Sequence, residues 1–335
     1  MTKILIVGAG AIGGFYAARL AQAGHDVTVL ARGAHLKAIQ QEGLRLETQD
    51  KQFDSITQVK AISDLEEAQA PDMVMVTLKA YQVAPIVDPL ARIAAQARIF
   101  MPIQNGIGWW YFQRHGGLRE GTVVKAVDPQ GHLVARLPVH TTIPAFAFMS
   151  AQVVAPGVVR HISAPGDHLA MGELDGTDTD RLRQVGADLE LAGIKPKYGD
   201  VRNLMWQKLL GNIFANPLCA LTGRVLGDVV RCEPTRALAL DLMREVCAVA
   251  SSLGHDPGVS LEARLQRAEA MSAAKPSMLQ DLEAGRPMEL DAILGALIEM
   301  AGYAQVQTPV VKTLHACLRL VEFKNTGIQT RPIAP

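Results

Sequence analysis

The chain has 335 residues, in which 33 Lys and Arg balance 33 Asp and Glu. This length predicts two domains, and the balanced charge gives no electrostatic reason to expect nucleic acid or an anionic membrane as a partner. Apolar residues make up 49% of the chain and aromatic residues only 5%, which is typical of aliphatic α/β sheets packed against helices, and no apolar run is long enough to span a bilayer.

The cysteines carry no sign of a metal site or of a disulfide framework. Cys219, Cys232, Cys247 and Cys317 form no CxxC pair and no cluster with histidine, so we expect reduced thiols packed among apolar side chains and no bound metal. Reduced thiols favour the cytoplasm. No basic leader or apolar signal segment precedes the first predicted strand.

Residues 3–32 predict a strand, a glycine turn, a helix from near Ala11 and a second strand. The glycines of the turn complete G-x-G-x-x-G in the context that gives the pattern its meaning. The first makes a tight turn, the second lets the backbone approach a pyrophosphate, and the third allows close helix–strand packing. A structural turn is the alternative, but the pattern favours a dinucleotide site formed by Gly8, Ala9, Gly10, Ala11, Ile12 and Gly13.

The residues that follow the predicted strands indicate which dinucleotide binds. The strand 27–30 leads into Arg32, where a site for NAD usually has an acid, and an arginine there suits the 2′-phosphate of NADP(H). A solvated loop arginine is the alternative. Lys79 follows the buried strand 73–78 at the same sheet edge, where it could join Arg32 at the phosphate. Asn105 ends the next strand in a QNG turn, in reach of a nicotinamide ribose or a substrate.

The remainder of the first predicted domain, 1–198, is less regular. Residues 106–140, with Trp109 and Trp110, predict a long elaboration carrying a hairpin or lid. Alternating segments around Pro156-Gly157 predict antiparallel strands that extend the main sheet, followed by a helix over about 178–192 and a short strand. From there the pattern becomes helical, so 199–335 is predicted to be an all-α domain, with helices at about 200–222, 229–254, 260–272, 277–285, 289–304 and 308–323.

The stretch Leu204–Cys219 stands out within the helical domain. Apolar residues surround its helical cylinder, which predicts a buried helix, yet Lys208, Asn212 and Asn216 form a polar row at i, i+4 and i+8. Burying such groups without partners costs several kcal/mol, so the row is expected to face a ligand in a cleft. The alternative is that Lys208 reaches solvent and that Asn216, before Pro217, helps to end or kink the helix.

The chain carries six motifs in order: GAGAIG, VTLKAYQV, QNG, W-x-K-L-x-x-N-x-x-x-N-P-L, SMLQD and MELD. Together they resemble the ketopantoate reductase family of NADPH-dependent 2-oxoacid reductases. They occur in the family's order between Lys3 and about Phe323. The resemblance implies an α/β Rossmann-like N-terminal dinucleotide-binding domain and an all-α C-terminal domain like that of 6-phosphogluconate dehydrogenase. It implies a 2-oxoacid as the small-molecule partner, and a homodimer is compatible with it.

The resemblance also assigns roles to residues. It makes Lys208 the catalytic lysine and Asn212 and Asn216 substrate-side amides, and Asn105 is shared by cofactor and substrate. Ser277 would bind substrate, Glu289 would lie near the reacting hydroxyl and the cofactor, Arg32 and Lys79 would hold the 2′-phosphate, and Ala151 would give a backbone contact to the cofactor. Ser277 could instead cap the helix opened by Met278, and Glu289 could merely decorate a first helical turn.

The chemistry is consistent with these roles. Reduction of a 2-oxoacid places hydride on the carbonyl carbon and a proton on its oxygen, and a buried lysine with a lowered pKa can supply that proton. The leading interpretation is reduction of ketopantoate to pantoate in pantothenate synthesis. Because Leu226 and Cys219 replace polar family residues, a paralogous reductase for a bulkier 2-oxoacid, with an indole of Trp109 or Trp110 as a wall, is an alternative. A non-catalytic NADP(H)-binding sensor is another.

Overall fold

A computed structural model of the chain describes residues 1–50, 53–162 and 166–326. The chain divides into two compact units. Unit 1 comprises 1–104, 109–123 and 130–201, and unit 2 comprises 105–108, 124–129 and the residues from 202 onward. No helix in the described ranges is long and apolar enough to cross a membrane.

Unit 1 contains strands and helices in alternation. Its strands are β1 (Lys3–Val7), β2 (Asp26–Leu30), β3 (Leu44–Thr48), β4 (Asp54–Thr57), β5 (Lys60–Ile62), β6 (Met73–Val76), β7 (Ile99–Pro102), β8 (Ala145–Phe148), β9 (Ser150–Ala155), β10 (Val158–Ile162), β11 (His168–Met171) and β12 (Pro196–Tyr198). Its helices are α1 (Ala11–Gln22), α2 (Gly33–Glu42), α3 (Ala80–Val83), α4 (Val87–Ala94), α5 (His132–Arg136) and α6 (Asp180–Leu191).

The main sheet of unit 1 is five-stranded, in the order β5-β2-β1-β6-β7. Each neighbouring pair is parallel, so the carboxyl ends of all five strands lie at one edge. Both β1 and β6 are buried almost throughout, which is the burial expected of central parallel strands. The predicted dinucleotide-binding architecture is therefore confirmed.

The hairpin around Pro156-Gly157 forms as predicted, with β9 and β10 antiparallel. It does not extend the main sheet, so that part of the prediction is wrong. Instead β10 pairs with β3 in a second sheet of order β4-β3-β10-β9, while β8, β11 and β12 form a third. Helix α1 packs against the second sheet, where Gly14 leaves room for Val159: a Cβ on Gly14 would lie 2.7 Å from Val159 Cγ2.

The segment 106–140 contains no strand, so the predicted hairpin is wrong. Its aromatic run, Trp109 to Phe112, is buried instead, because aromatic side chains gain most by leaving water. Trp109 and Trp110 are each 2% exposed, and the Trp110 ring lies 6.1 Å from that of Phe146. Neither indole has the exposure that a lid would require, and an indole wall at the substrate stays a prediction.

Unit 2 is helical, as predicted. Its helices are α7 (Val201–Thr222), α8 (Leu226–Arg231), α9 (Glu233–Ser252), α10 (Leu261–Ala270), α11 (Ser277–Glu283), α12 (Ala296–Ala304) and α13 (Pro309–Thr326), with a π-helical turn at Asp291–Gly295. The predicted helix 229–254 is in fact two helices, because Pro234 in the first turn of α9 lacks the N–H that a continuous helix needs. The π turn was not predicted.

The cysteines are free thiols, as expected, but only some are packed away from solvent. Cys219 is buried and Cys247 is half-buried, whereas Cys232 and Cys317 are exposed. The expectation that all of them pack among apolar side chains is therefore wrong for the exposed pair.

Candidate active site

Helix α7 is the buried helix that the sequence predicted. Trp206, Leu210 and Ile213 are fully buried in it, and Asn216 is only 4% exposed. The helix continues through Pro217 to Thr222, so Asn216 does not end it. The polar row of Lys208, Asn212 and Asn216 is thus held on a single rigid element.

Lys208 does not behave as a solvated lysine. Burial of its ammonium lowers its pKa from 10.5 to about 8; the nearby Glu289 carboxylate opposes this shift, and the Arg264 guanidinium adds to it. An amine with a pKa near 8 is mostly protonated at neutral pH and gives up its proton far more readily than a solvent-exposed lysine. The amine is therefore suited to proton transfer.

The side chains around Lys208 form a hydrogen-bonded chain within unit 2. Asn212 donates through Nδ2 to Oδ1 of Asn105 at 3.3 Å, and Asn105 donates through Nδ2 to Oε2 of Glu289 at 3.3 Å. Glu289 is 6% exposed. Hydrogen bonds to Asn212 and Glu289 therefore fix Asn105 on both sides. They also hold in place the Glu289 carboxylate, which stabilises protonated Lys208.

The backbone explains why Asn105 can reach Glu289. Gly106 has φ +77°, and a Cβ at this position would lie 2.1 Å from the carbonyl oxygen of Ala292. The N–H of Ile107 donates to that same oxygen at 2.9 Å. The QNG turn therefore packs directly on the π turn that follows Glu289, a local irregularity often found at functional sites.

Asn216 and Ser277 form a second contact at the other end of the polar row. The Ser277 hydroxyl donates to Oδ1 of Asn216 at 3.2 Å, and the N–H of Met278 donates to the same oxygen at 3.1 Å. Pro276, not Ser277, occupies the N-cap position of α11. The capping alternative for Ser277 is therefore wrong: Asn216 supplies the acceptor, and it positions the Ser277 hydroxyl.

Unit 1 holds the predicted dinucleotide turn. Gly8 has φ +108°, and a Cβ on Gly13 would lie 2.0 Å from the carbonyl oxygen of Gly8. A Cβ on Gly10 would meet no atom within 4 Å, so the space above this residue is open. Helix α1 begins at Ala11 with no side-chain cap and no acid in its first turn. An uncapped helix N-terminus beside open space fits a pyrophosphate.

The predicted phosphate-binding cations lie at the carboxyl edge of the main sheet. Arg32 is exposed and occupies the N-cap position of α2, just after β2, and half-buried Lys79 occupies that of α3, shortly after β6. Because β2 and β6 flank β1 in parallel, both cations lie at the edge that carries the glycine turn. Ala151 belongs to β9, in the second sheet, where it pairs with His161, and its backbone contact to the cofactor stays a prediction.

Within the described residues, no group of His, Cys, Asp and Glu side chains could hold a metal ion. The arrangement supports proton transfer at Lys208 and dinucleotide binding at the glycine turn.

Comparison with known proteins places these features in a family. The family model "Ketopantoate reductase PanE/ApbA" matches residues 4–110, and "Ketopantoate reductase PanE/ApbA C terminal" matches residues 200–322. A 2-dehydropantoate 2-reductase of Mesorhizobium japonicum is 40% identical over 95% of this chain and 97% of its own. The chain belongs to the ketopantoate reductase family.

Solved structures agree with this assignment. A PanE/ApbA family ketopantoate reductase from Ralstonia eutropha is 30% identical, with a TM-score of 0.81 over 96% of this chain and 99% of its own. D-mandelate dehydrogenase, solved with NADH and anilino(oxo)acetate, has the same TM-score of 0.81 over 96% of this chain and 99% of its own, but at 18% identity it supports the fold alone.

His35 supports the glycine turn of this ketopantoate reductase family member, a role that was not predicted from the sequence. His35 contacts the carbonyl oxygen of Ala9 through Nε2 at 2.7 Å and accepts from the N–H of Gly157 through Nδ1 at 3.0 Å. The accepting Nδ1 fixes the neutral tautomer in which Nε2 donates. The imidazole therefore joins the turn to the β9–β10 hairpin, and no sequence motif marks it.

Proposed function

We propose that the protein catalyses the NADPH-dependent reduction of 2-dehydropantoate (ketopantoate) to pantoate, a step of pantothenate biosynthesis, in the cytoplasm. The observation that carries this proposal is Lys208: a buried amine with a pKa of about 8, held near Glu289 in a member of the ketopantoate reductase family. The partner is a small 2-oxoacid, and we expect no nucleic acid.

In this proposal NADP(H) is held by unit 1. The turn Gly8–Gly13 and the N-terminus of α1 would hold the pyrophosphate, and Arg32 and Lys79 would hold the 2′-phosphate through charge-assisted hydrogen bonds. When bound, NADPH supplies the hydride that the carbonyl carbon of the oxoacid accepts.

Lys208 completes the reaction by protonation. As hydride reaches the carbonyl carbon, negative charge develops on the carbonyl oxygen, and the Lys208 ammonium stabilises it and donates its proton there. The products are the 2-hydroxyacid, NADP⁺ and neutral Lys208, and the Lys208 amine then takes a proton from solvent. Glu289 favours the protonated form of Lys208 before each turnover. Asn105 holds Glu289 in place, and Asn212 in turn holds Asn105.

A panel of 2-oxoacids tests this proposal. The loss of NADPH absorbance would be followed with ketopantoate, pyruvate, a branched-chain oxoacid and phenylpyruvate as substrates. We expect ketopantoate to give the highest kcat/KM. If the protein binds NADPH tightly but turns over none of the panel, the reductase proposal is wrong and the NADP(H)-binding sensor is favoured.

The buried apolar side chain of Leu226 favours a second candidate function, the reduction of a bulkier 2-oxoacid. This residue is 6% exposed at the start of α8, and its N–H donates at 3.0 Å to the carbonyl oxygen of Ala274, three residues before Ser277. An apolar side chain there would disfavour a polar substrate relative to an apolar one. If this candidate is right, Leu226→Asn should raise kcat/KM for ketopantoate. This candidate would be wrong if the unmutated protein has a low KM for ketopantoate and Leu226→Asn raises that KM.

A further inference from the structure

A second cation, Arg264, lies beside Lys208 on the surface of α7. The Arg264 side chain comes from α10, and its Nη2 donates to the backbone carbonyl oxygen of Gln207. A Cβ built on Gly211 would lie 3.6 Å from Nη1 and 3.7 Å from Cδ of Arg264. The guanidinium therefore packs across α7 between positions 207 and 211, next to the polar row.

Within the described residues, the Arg264 guanidinium lacks a partner for one hydrogen-bond donor and for its positive charge. Its Nε is buried and has no hydrogen-bond partner there. No described carboxylate forms an ion pair with it, and burial lowers its pKa, with Arg267 as a further repulsive charge. A partly buried cation of this kind is unfavourable unless an anion completes it.

Lys208 and Arg264 together leave an excess of positive charge at this part of α7. The two cations are close enough for the Arg264 charge to lower the pKa of Lys208, and Glu289 is the carboxylate that opposes this effect. Because no carboxylate in the described residues forms an ion pair with Arg264, its charge leaves room for a second negative charge. That second charge would come from a ligand.

We propose that Arg264 binds the carboxylate of the 2-oxoacid while Lys208 contacts the adjacent ketone oxygen, an inference that rests on the proposed reductase function. A 2-oxoacid carries its carboxylate and its ketone on neighbouring carbons, so two neighbouring cations match it. The planar fork of the guanidinium suits a carboxylate in a way that a neutral amide does not. Arg264 would thus select oxoacids over uncharged ketones, and it would provide the polar interaction that the apolar side chain of Leu226 cannot make.

The alternative is that Arg264 serves only to attach α10 to α7 through the carbonyl oxygen of Gln207. A purely structural role would affect charged and uncharged substrates alike. The test therefore compares ketopantoate with its uncharged methyl ester in the unmutated protein, Arg264→Gln and Arg264→Lys. Arg267→Gln is the matched control, because Arg267 lies three residues along the same helix and is exposed.

We expect Arg264→Gln to lower kcat/KM for ketopantoate roughly ten- to a hundredfold, mainly through KM, which is the effect of removing one charge-assisted hydrogen bond. The ester should change less than about threefold, and Arg264→Lys should recover part of the loss. Arg267→Gln should leave both substrates unaffected. Equal losses for acid and ester, or no loss for the acid, would overturn the proposal.

Two further measurements keep this outcome separate from that of the proposed function. Because the charge of Arg264 lowers the pKa of Lys208, Arg264→Gln should shift the alkaline fall in activity to higher pH, and Arg264→Lys should not. If the unmutated protein reduces no 2-oxoacid, the proposed function fails, and calorimetric titration with ketopantoate then tests Arg264 alone. Binding that Arg264→Gln abolishes supports the carboxylate site, whereas equal or absent binding overturns it.

Discussion

The Nδ2 group of Asn105 donates to Oε2 of Glu289 at 3.3 Å, joining residues 184 positions apart in the chain. This contact exists because the QNG turn packs against the π turn that follows Glu289. Asn105 therefore reaches the lysine site through a backbone approach that only glycine at position 106 permits, and this dependence can be tested.

Gly106→Ala should destabilise the protein by about 2–4 kcal/mol, because it combines a left-handed backbone with a clash against Ala292. Gly116→Ala is the matched control: Gly116 has φ +71°, but its Cβ would meet nothing within 4 Å, so about 1 kcal/mol is expected. Urea unfolding of the two variants measures both values. Equal stability losses would show that the packing against Ala292 is unimportant.

Gly10→Ala should leave the apoprotein folded but weaken NADPH binding, because the added Cβ enters space that is open in the protein alone. Gly13→Ala should instead destabilise the fold, since its Cβ would lie 2.0 Å from the carbonyl oxygen of Gly8. Thermal unfolding and NADPH fluorescence titration separate the two effects. If Gly10→Ala binds NADPH with unaltered affinity, the pyrophosphate does not lie against Gly10.

Arg32→Ala should weaken NADPH binding by roughly ten- to a hundredfold and hardly change NADH binding, because only NADPH carries the 2′-phosphate. Lys37→Ala is the matched control, since Lys37 is an exposed cation on the same helix, α2. Titration of each variant with both cofactors measures the preference. Equal affinity of the unmutated protein for NADPH and NADH would contradict the assigned role of Arg32.

Glu289→Gln should move the alkaline fall in kcat/KM to lower pH. The Glu289 carboxylate favours the protonated form of Lys208, so its removal lowers the pKa of Lys208 below about 8. Less of the required ammonium is then present at any pH near that value. Glu283→Gln, which removes the partner of Lys275 on the surface, should leave the profile unchanged. If the alkaline fall in kcat/KM of Glu289→Gln stays at the same pH or moves to higher pH, Glu289 does not stabilise protonated Lys208.

Features with a strong local signal could be predicted from the sequence. The glycine turn between β1 and α1 follows from residue spacing, and α7 follows from its apolar surround interrupted by Lys208, Asn212 and Asn216. The family motifs also assigned Ser277 and Glu289 to the substrate side, and those roles stay predictions.

Features that depend on contacts between distant residues could not be predicted. The second sheet requires β10 to pair with β3, more than a hundred residues earlier, and neither segment specifies that partner. His35 joins two loops, and Arg264 bonds to the backbone of Gln207, next to Lys208, from another helix, so neither belongs to a local motif. The π turn at Asp291–Gly295 is stabilised by packing against the QNG turn, which sequence periodicity does not reveal.

The central claim is that Lys208 donates the proton in an NADPH-dependent reduction of ketopantoate. The most direct test is the steady-state rate of NADPH oxidation with ketopantoate in the unmutated protein, in Lys208→Ala and in the control Lys312→Ala, whose lysine is exposed on α13. We predict that Lys208→Ala loses roughly a hundredfold or more in kcat while its NADPH affinity and that of the control are unchanged. Near-normal turnover in folded Lys208→Ala would contradict the account, because another group would then supply the proton.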